Sequence, residues 1–287
     1  MTIDSQAAPR LRVTWHGRSV VGCVRKNNED SLWAGALDRP DTGAEPDHDD
    51  GTDGSASLRR PGVLLEVADG MGGAKAGEVA SGMAVSIVRD EMLGRAATED
   101  LSGASDEALV QAFIASVERA NDLIRDEGAR NPSRQGMGTT LTAVWAIDEL
   151  AYIAHVGDSR AYLFRKGNLQ QLTKDQSLVE KLLEDKIISP EEAQRMGAKN
   201  IILQALGSED DLDVASPRTS LQAGDTIILC TDGLTGVVEN PEIEESLRQG
   251  GGLGAICQRL IKAAEDGGGP DNITVLLGLF ENEHAAG

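Results

Sequence analysis

Five short stretches of this chain place acids where an apolar run begins or ends: Glu29 and Asp30 in RKNNEDS, Asp69 in VLLEVADGMGG, Asp158 in HVGDSRA, Asp232 in LCTDGLT and Asp271 in GGGPDNITV. A carboxylate at the edge of a buried strand is costly unless water or a positive charge meets it. If the strand ends converge, the acids converge with them, and a cluster that repels itself needs divalent cations to persist. An all-oxygen donor set selects hard ions, Mn²⁺ or Mg²⁺, over zinc or copper. Two such ions, ~4 Å apart, hold a water between them as a bridging hydroxide that is a nucleophile near neutral pH. A phosphate ester is the natural target, because an arginine fork can hold its oxygens. Arg25 is the best arginine for that, four residues before Glu29 and five before Asp30. Gly70, Gly72 and Gly73 let the backbone turn sharply after Asp69 and let a carbonyl approach an ion with no Cβ in the way.

Positioning these acids requires strands. Strand-like runs cover residues 13–24, 63–68, 140–147, 150–156, 161–165, 226–230 and 273–280, several rich in β-branched residues and bounded by Gly, Asp or Asn. Lys166, Gly167 and Asn168 read as a hairpin turn. Two blocks have helical period. Val79, Met83 and Ile87 form one apolar stripe, and Leu109, Phe113, Val117, Ala120 and Ile124 form another. Later, Asn240 and Pro241 read as a cap and first turn with Gly250 as the stop, while Ile256, Leu260, Ile261 and Ala264 mark a fourth helix. Strands and helices in separate groups imply an α+β fold, a pair of sheets covered by helices.

Two segments stand apart. Residues 38–60, DRPDTGAEPDHDDGTDGSASLRR, lack periodic apolar residues and read as a disordered acidic insert between strands. Residues 173–220 read as a small helical flap, in which Ser189, Pro190 and Glu192 make a capping box with proline at the first helical position.

Charge narrows the function classes. The chain has 287 residues, is 40% hydrophobic and carries a formal net charge of -20, so it can bury one large core and repels nucleic acid and anionic membranes. Cys23, Cys230 and Cys257 are far apart and form no C-x-x-C pair, so they read as buried small hydrophobes. No apolar run has the length of a signal peptide core or a membrane span, and the expectation is a soluble, cytoplasmic, monomeric protein.

The ordered set R-x-x-N-E-D (Arg25 to Asp30), D-G-M-G-G (Asp69 to Gly73), G-T-T (Gly138 to Thr140), V-G-D-S-R (Val156 to Arg160), T-D-G-L (Thr231 to Leu234) and D-N-I-T-V (Asp271 to Val275) resembles the metal-dependent serine/threonine protein phosphatases of type 2C, most of all their compact bacterial members. Each motif alone is weak, and their joint order is specific. The resemblance implies a four-layer αββα sandwich of two antiparallel β-sheets flanked by helix pairs, with Mn²⁺ or Mg²⁺ at one end. It implies that Asp69 bridges two ions, that the Gly70 carbonyl serves the first, and that Asp232 and Asp271 complete the second. Glu29 and Asp30 would act mostly through metal-bound water, Asp158 with Asp232 would serve a third, weaker ion, and Arg25 would bind the substrate phosphate. Substrates would be phosphoproteins and the opposing partner a Ser/Thr kinase. The chain departs from the family pattern at Met71, where many animal members have a histidine that can protonate the leaving oxygen, and at Gln176 and Gln204 in the flap.

Blander readings stand beside these. Asp158 and Asp232 taken singly are turn caps, and Arg25 alone is a solvated side chain. His155, inside a strand run, reads as a satisfied sheet histidine. GGAKAGEVAS is no phosphate loop, because Glu78 stands where lysine is needed, and DHDDGTDG lacks the spacing of a calcium loop. The rival classes are a binding module that keeps the fold without turnover, and a metal-dependent nuclease, which the acidity disfavours.

Overall fold

A computed structural model describes residues 10–38, 51–72, 76–99, 101–195, 201–208 and 212–283. Twelve strands form among them: β1 (Leu11–Val20), β2 (Asp30–Ala36), β3 (Thr52–Ser57), β4 (Val63–Met71), β5 (Gly138–Thr139), β6 (Leu141–Ile147), β7 (Leu150–Val156), β8 (Arg160–Arg165), β9 (Asn168–Gln171), β10 (Arg218–Ser220), β11 (Thr226–Cys230) and β12 (Ile273–Asn282). The helices are α1 (Ala76–Thr98), α2 (Asp106–Arg130), α3 (Leu178–Glu184), α4 (Pro190–Arg195), α5 (Asp232–Thr235), α6 (Asn240–Arg248) and α7 (Leu253–Asp266).

The strands make two antiparallel sheets, ordered β3-β1-β12-β11-β8-β9 and β10-β7-β6-β4-β2, with β5 pairing the end of β4. Three apolar clusters lie between four layers. Val13, Leu65, Val144 and Leu229 fill the space between the sheets. Leu64, Phe113, Ile124 and Trp145 join the second sheet to α1 and α2, and Ile228, Leu260 and Val275 join the first sheet to α6 and α7. β4 is buried on both faces for this reason: alternate residues point to the partner sheet and to the helices, and Glu66 is its one charged residue before Asp69. No helix among the described residues is long and apolar enough to cross a membrane.

Register brings the acidic motifs to one end. Val20 pairs with Ile273, Val275 with Cys230, Cys230 with Arg160 and Asp30 with Asp69. Strand ends that are far apart in sequence therefore open onto the same edge of the sandwich.

Several expectations need correction. Residues 52–57 are not part of a loose insert but form β3, an edge strand on β1, and residues 39–50 of that insert lie outside the described residues. Gly54 has a packing role there, since a Cβ on it would stand 2.3 Å from the Trp15 ring that covers it. The apolar stripe Val79, Met83 and Ile87 is only partly buried; the buried face of α1 is Ala76, Ala80, Ala84 and Val88, with Val85 and Met92. Small residues let the helix lie close on β4, so the larger ones are displaced to its flank. Glu239, not Asn240, occupies the cap of α6, and Asn240 instead accepts a 3.0 Å hydrogen bond from the Tyr162 hydroxyl. Cys23 is exposed, whereas Cys230 and Cys257 are buried as expected. The capping box of α4 forms as the sequence implies, with the Ser189 amide donating to Glu192 at 2.8 Å and the Glu192 amide to Ser189 at 3.2 Å.

Candidate active site

Asp69 sits near the end of β4, where its backbone is clamped from both sides. Its amide donates to Thr140 Oγ1 at 2.9 Å, and its carbonyl accepts from the Thr140 amide and the Thr139 hydroxyl, both at 2.9 Å. Thr140 Oγ1 also meets Ser159 Oγ at 2.8 Å. The motif Gly-Thr-Thr thus ties the Asp69 strand to the Asp158 turn. Gly70, next along, is required by closeness: a Cβ there would stand 2.2 Å from the Gly77 carbonyl oxygen and 2.5 Å from that of Glu29. The first turn of α1 can approach the site only because both residues are glycine.

Asp30 opens β2 and is buried. Its Oδ2 accepts hydrogen bonds from Thr231 Oγ1 at 2.8 Å and Thr274 Oγ1 at 2.6 Å. Thr274 in turn meets Ser19 Oγ at 2.7 Å, and Asn28 Nδ2 donates to Ser19 Oγ at 2.7 Å. Asn272 makes a second knot. Its Oδ1 accepts from the Glu29 amide at 2.8 Å, and its Nδ2 donates to the carbonyls of Val21 and Asn27, each at 2.9 Å. These amides and hydroxyls hold the loop of residues 21–29 against the start of β12.

The carboxyl groups act on one another. Burial first, and Asp232 after it, push Asp30 and Asp158 up to about 7. Burial also holds Asp69 well above the usual carboxylate range, and Asp30, Asp232, Asp158 and Asp271 each push it higher. Asp232 is raised by burial first and by Asp271 second, and it shares a hydrogen bond with Asp69. Two carboxyl groups can share a hydrogen bond only if a proton lies between them. Glu29 is raised by its own burial, by Asp271 and by Glu78, and its carboxyl carbon would be 3.1 Å from a Cβ on Gly77, at the first turn of α1. Arg25, half exposed, donates to Asp271 Oδ2 at 2.7 Å.

All eight residues singled out in the sequence therefore stand at one end of the sandwich. Among the described residues no three His, Cys, Asp or Glu side chains form a ready-made ligand set. The donor chemistry nonetheless fits hard cations. Asp158 Oδ1 and Asp232 Oδ1 are buried with no hydrogen-bond partner, and burial and carboxylate neighbours raise both groups above the ordinary aspartate value. Positive charge is what this arrangement lacks.

Several residues here escape a search for acids. Thr231 and Thr274 position Asp30, and their one signal is that each lies within a motif whose aspartate draws the attention. Arg160 grips Asp175 with Nε at 2.8 Å and Nη2 at 2.6 Å, which fastens the root of the flap beside Asp158. Gln176 is structural: the Gly157 amide donates to its Oε1 at 2.8 Å and its Nε2 donates to the Asp213 carbonyl at 2.7 Å. Gln204 Oε1 accepts from the Asp213 amide at 3.1 Å. His155 is the satisfied sheet histidine expected. It meets Thr142 Oγ1 at 2.9 Å through Nδ1 and the Lys174 carbonyl at 3.0 Å through Nε2, and burial pulls its pKa down to about 4.

A two-sheet, helix-covered fold with this acidic end defines a protein phosphatase of type 2C, and the chain belongs to that family: residues 47–271 match Protein phosphatase 2C. It is 39% identical over 239 residues to the serine/threonine phosphatase stp of Listeria monocytogenes, covering 83% of this chain and 93% of that protein. It is 36% identical over 267 residues to the serine/threonine protein phosphatase PstP of Mycobacterium tuberculosis, covering 93% of this chain but only 45% of PstP. The crystal structure of the PstP catalytic domain in complex with two manganese ions superposes with a TM-score of 0.74 at 34% identity, over 94% of this chain and 99% of that one.

Proposed function

We propose that this chain hydrolyses phosphoserine and phosphothreonine in proteins, in a Mn²⁺- or Mg²⁺-dependent reaction that opposes a bacterial-type Ser/Thr kinase. The observation that carries the reading is the convergence of Asp30, Asp69, Asp158, Asp232 and Asp271 at one end of the sandwich, with two carboxyl oxygens buried and unpartnered and Arg25 on Asp271 alongside. In this reading Asp69, the Gly70 carbonyl, Asp232 and Asp271 hold two ions. Glu29 and Asp30 act through ordered water, and Asp158 with Asp232 holds a third, weaker ion. When bound, the ions supply Lewis acidity to the phosphoryl oxygens and acidify a water enough for it to attack phosphorus.

The chain's own residues do the rest. With Asp271 engaged by a cation, Arg25, which now donates to it, would be free to present its fork to the phosphoryl oxygens. Asp30, fixed by two threonine hydroxyls, is the carboxyl best held to take a proton from the attacking water. The new O–P bond forms as the bond from phosphorus to the serine or threonine oxygen breaks, and that oxygen leaves with a proton from water, because Met71 has none to give.

Hydrolysis of an aryl phosphate in Mn²⁺ tests the proposal. Turnover is expected to collapse in Asp69→Ala and in Asp232→Asn, with folding intact by circular dichroism. Full activity in the presence of a chelator would overturn it. Tight Mn²⁺ and phosphopeptide binding without turnover would replace it with a binding module.

A further inference from the structure

A cavity of about 310 Å³ opens beside the acidic end, between the core and the flap. Asp158 and Asp232 line its core side; Val179, Leu183, Pro190 and Ala193 of α3 and α4 line the other. Its volume is at the small end for a ligand site, the scale of one long side chain. Arg160 and Asp175 also line it, but they neutralise each other in a two-pronged pair. Glu180, on α3, is different. It lines the same cavity with its side chain 37% exposed, while the nearest cation, Lys174, sits 3.9 Å away and is seated on Glu184 at 2.5 Å. The buried acids with their unpartnered Oδ1 atoms thus close the deep end, an apolar wall flanks the middle, and a weakly paired carboxylate stands at the rim.

A lysine or arginine is the side chain that suits such a pocket, since its methylene stem covers apolar surface while its charged head stays at the wet edge. The net charge of -20 favours the approach of a basic segment as well. We infer that this cavity is a subsite for a basic residue flanking the phosphorylated serine or threonine, with Glu180 as its ionic partner. The inference rests on the phosphatase reading and names the class of phosphoprotein it selects.

The test uses the full chain with Mn²⁺ and a series of phosphothreonine peptides in which one lysine is moved a position at a time on either side of the phosphorylated residue, with alanine, leucine and glutamate replacements as controls. At one position lysine is expected to raise kcat/KM about fivefold to tenfold over alanine, with glutamate poorest and the preference shrinking as salt is added. Glu180→Lys should abolish or invert that preference and leave aryl phosphate turnover unchanged, because a small aryl ester does not reach the rim. Leu183→Ser should weaken it through the stem. Discrimination that is absent at every position, that survives Glu180→Lys, or that favours leucine over lysine would overturn the subsite. Each of those outcomes is read with aryl phosphate turnover intact. Loss of turnover by the unmodified chain would instead sink the phosphatase reading, and the subsite with it.

Discussion

Replacing Gly233 by alanine should damage the site as well as the fold. Gly233 is buried in α5, one residue after Asp232, and its backbone faces Asn272. A Cβ would stand 1.8 Å from the Asn272 carbonyl oxygen, 2.8 Å from its carbonyl carbon and 3.3 Å from Ile273 Cα. Ordinary contact begins at 3.4 Å, so the two backbones must separate by the difference, 3.4 − 1.8, about 1.6 Å. Asn272 cannot yield alone, because its side chain holds Val21, Asn27 and Glu29. Asp232 therefore moves relative to Asp271 and the Arg25 loop together. Overpacking of this kind costs ~1–3 kcal/mol of stability. Misplacement of reacting groups by about an ångström costs ~10²-fold in rate. Aryl phosphate kinetics across a Mn²⁺ titration, beside a thermal melt, separates the two effects. Gly94→Ala in α1, where a Cβ meets nothing within 4 Å, is the control and should be neutral or slightly stabilising. Gly233→Ala with activity within threefold of the parent would refute the claim that this contact sets the spacing of the acids.

Thr274→Val removes a hydroxyl from Asp30 Oδ2 while keeping the shape of the side chain; it should cost ~1–3 kcal/mol in chemical denaturation and raise the Mn²⁺ concentration needed for half-maximal turnover. His155, held down to about 4 against an ordinary value near 6.5, binds its proton in the unfolded chain first, so its share of stability is lost as pH falls from 6.5 towards 4, by ~3 kcal/mol in full. Denaturant midpoints of His155→Gln should therefore fall less steeply than those of the parent between pH 7 and about pH 5. Glu66 is fully buried, neither carboxyl oxygen has a hydrogen-bond partner, and burial raises its pKa well above the ordinary glutamate value despite Arg89. Its contribution declines as pH rises through and beyond the usual glutamate range, so Glu66→Gln should gain on the parent with increasing pH by at most ~1.4 kcal/mol per unit, read from urea melts. A margin that stays constant with pH would show that Glu66 does not titrate differently in the folded state.

The acids were legible because each is a charged residue at the limit of an apolar run, a position where the cost of burial forces a reason. Their supports were less so. Thr231 and Thr274 have side chains that suit any strand, and only the pairing of β11 with β12 brings both hydroxyls to Asp30. The strand β3 reads as TDGSAS, with no apolar alternation, and owes its order to pairing with β1 and to the Trp15 ring over Gly54. α1 was located correctly but its buried face was not, because hydrophobic size points to Val79, Met83 and Ile87 whereas close approach selects Ala80 and Ala84. At Gly70 the sequence speaks for a sharp turn and a carbonyl open to an ion, while the narrow gap to Gly77 is a further need that only the packing of α1 reveals.

The position of β12 has a consequence for the order of assembly. This strand follows all the other strands in the chain, inserts between β1 and β11 and brings with it the Asn272 carboxamide that gathers the early loop. Until it arrives β1 lacks its principal neighbour, and the early and late acids have no common frame. The acidic end therefore cannot assemble on a growing chain until synthesis has passed Asp271.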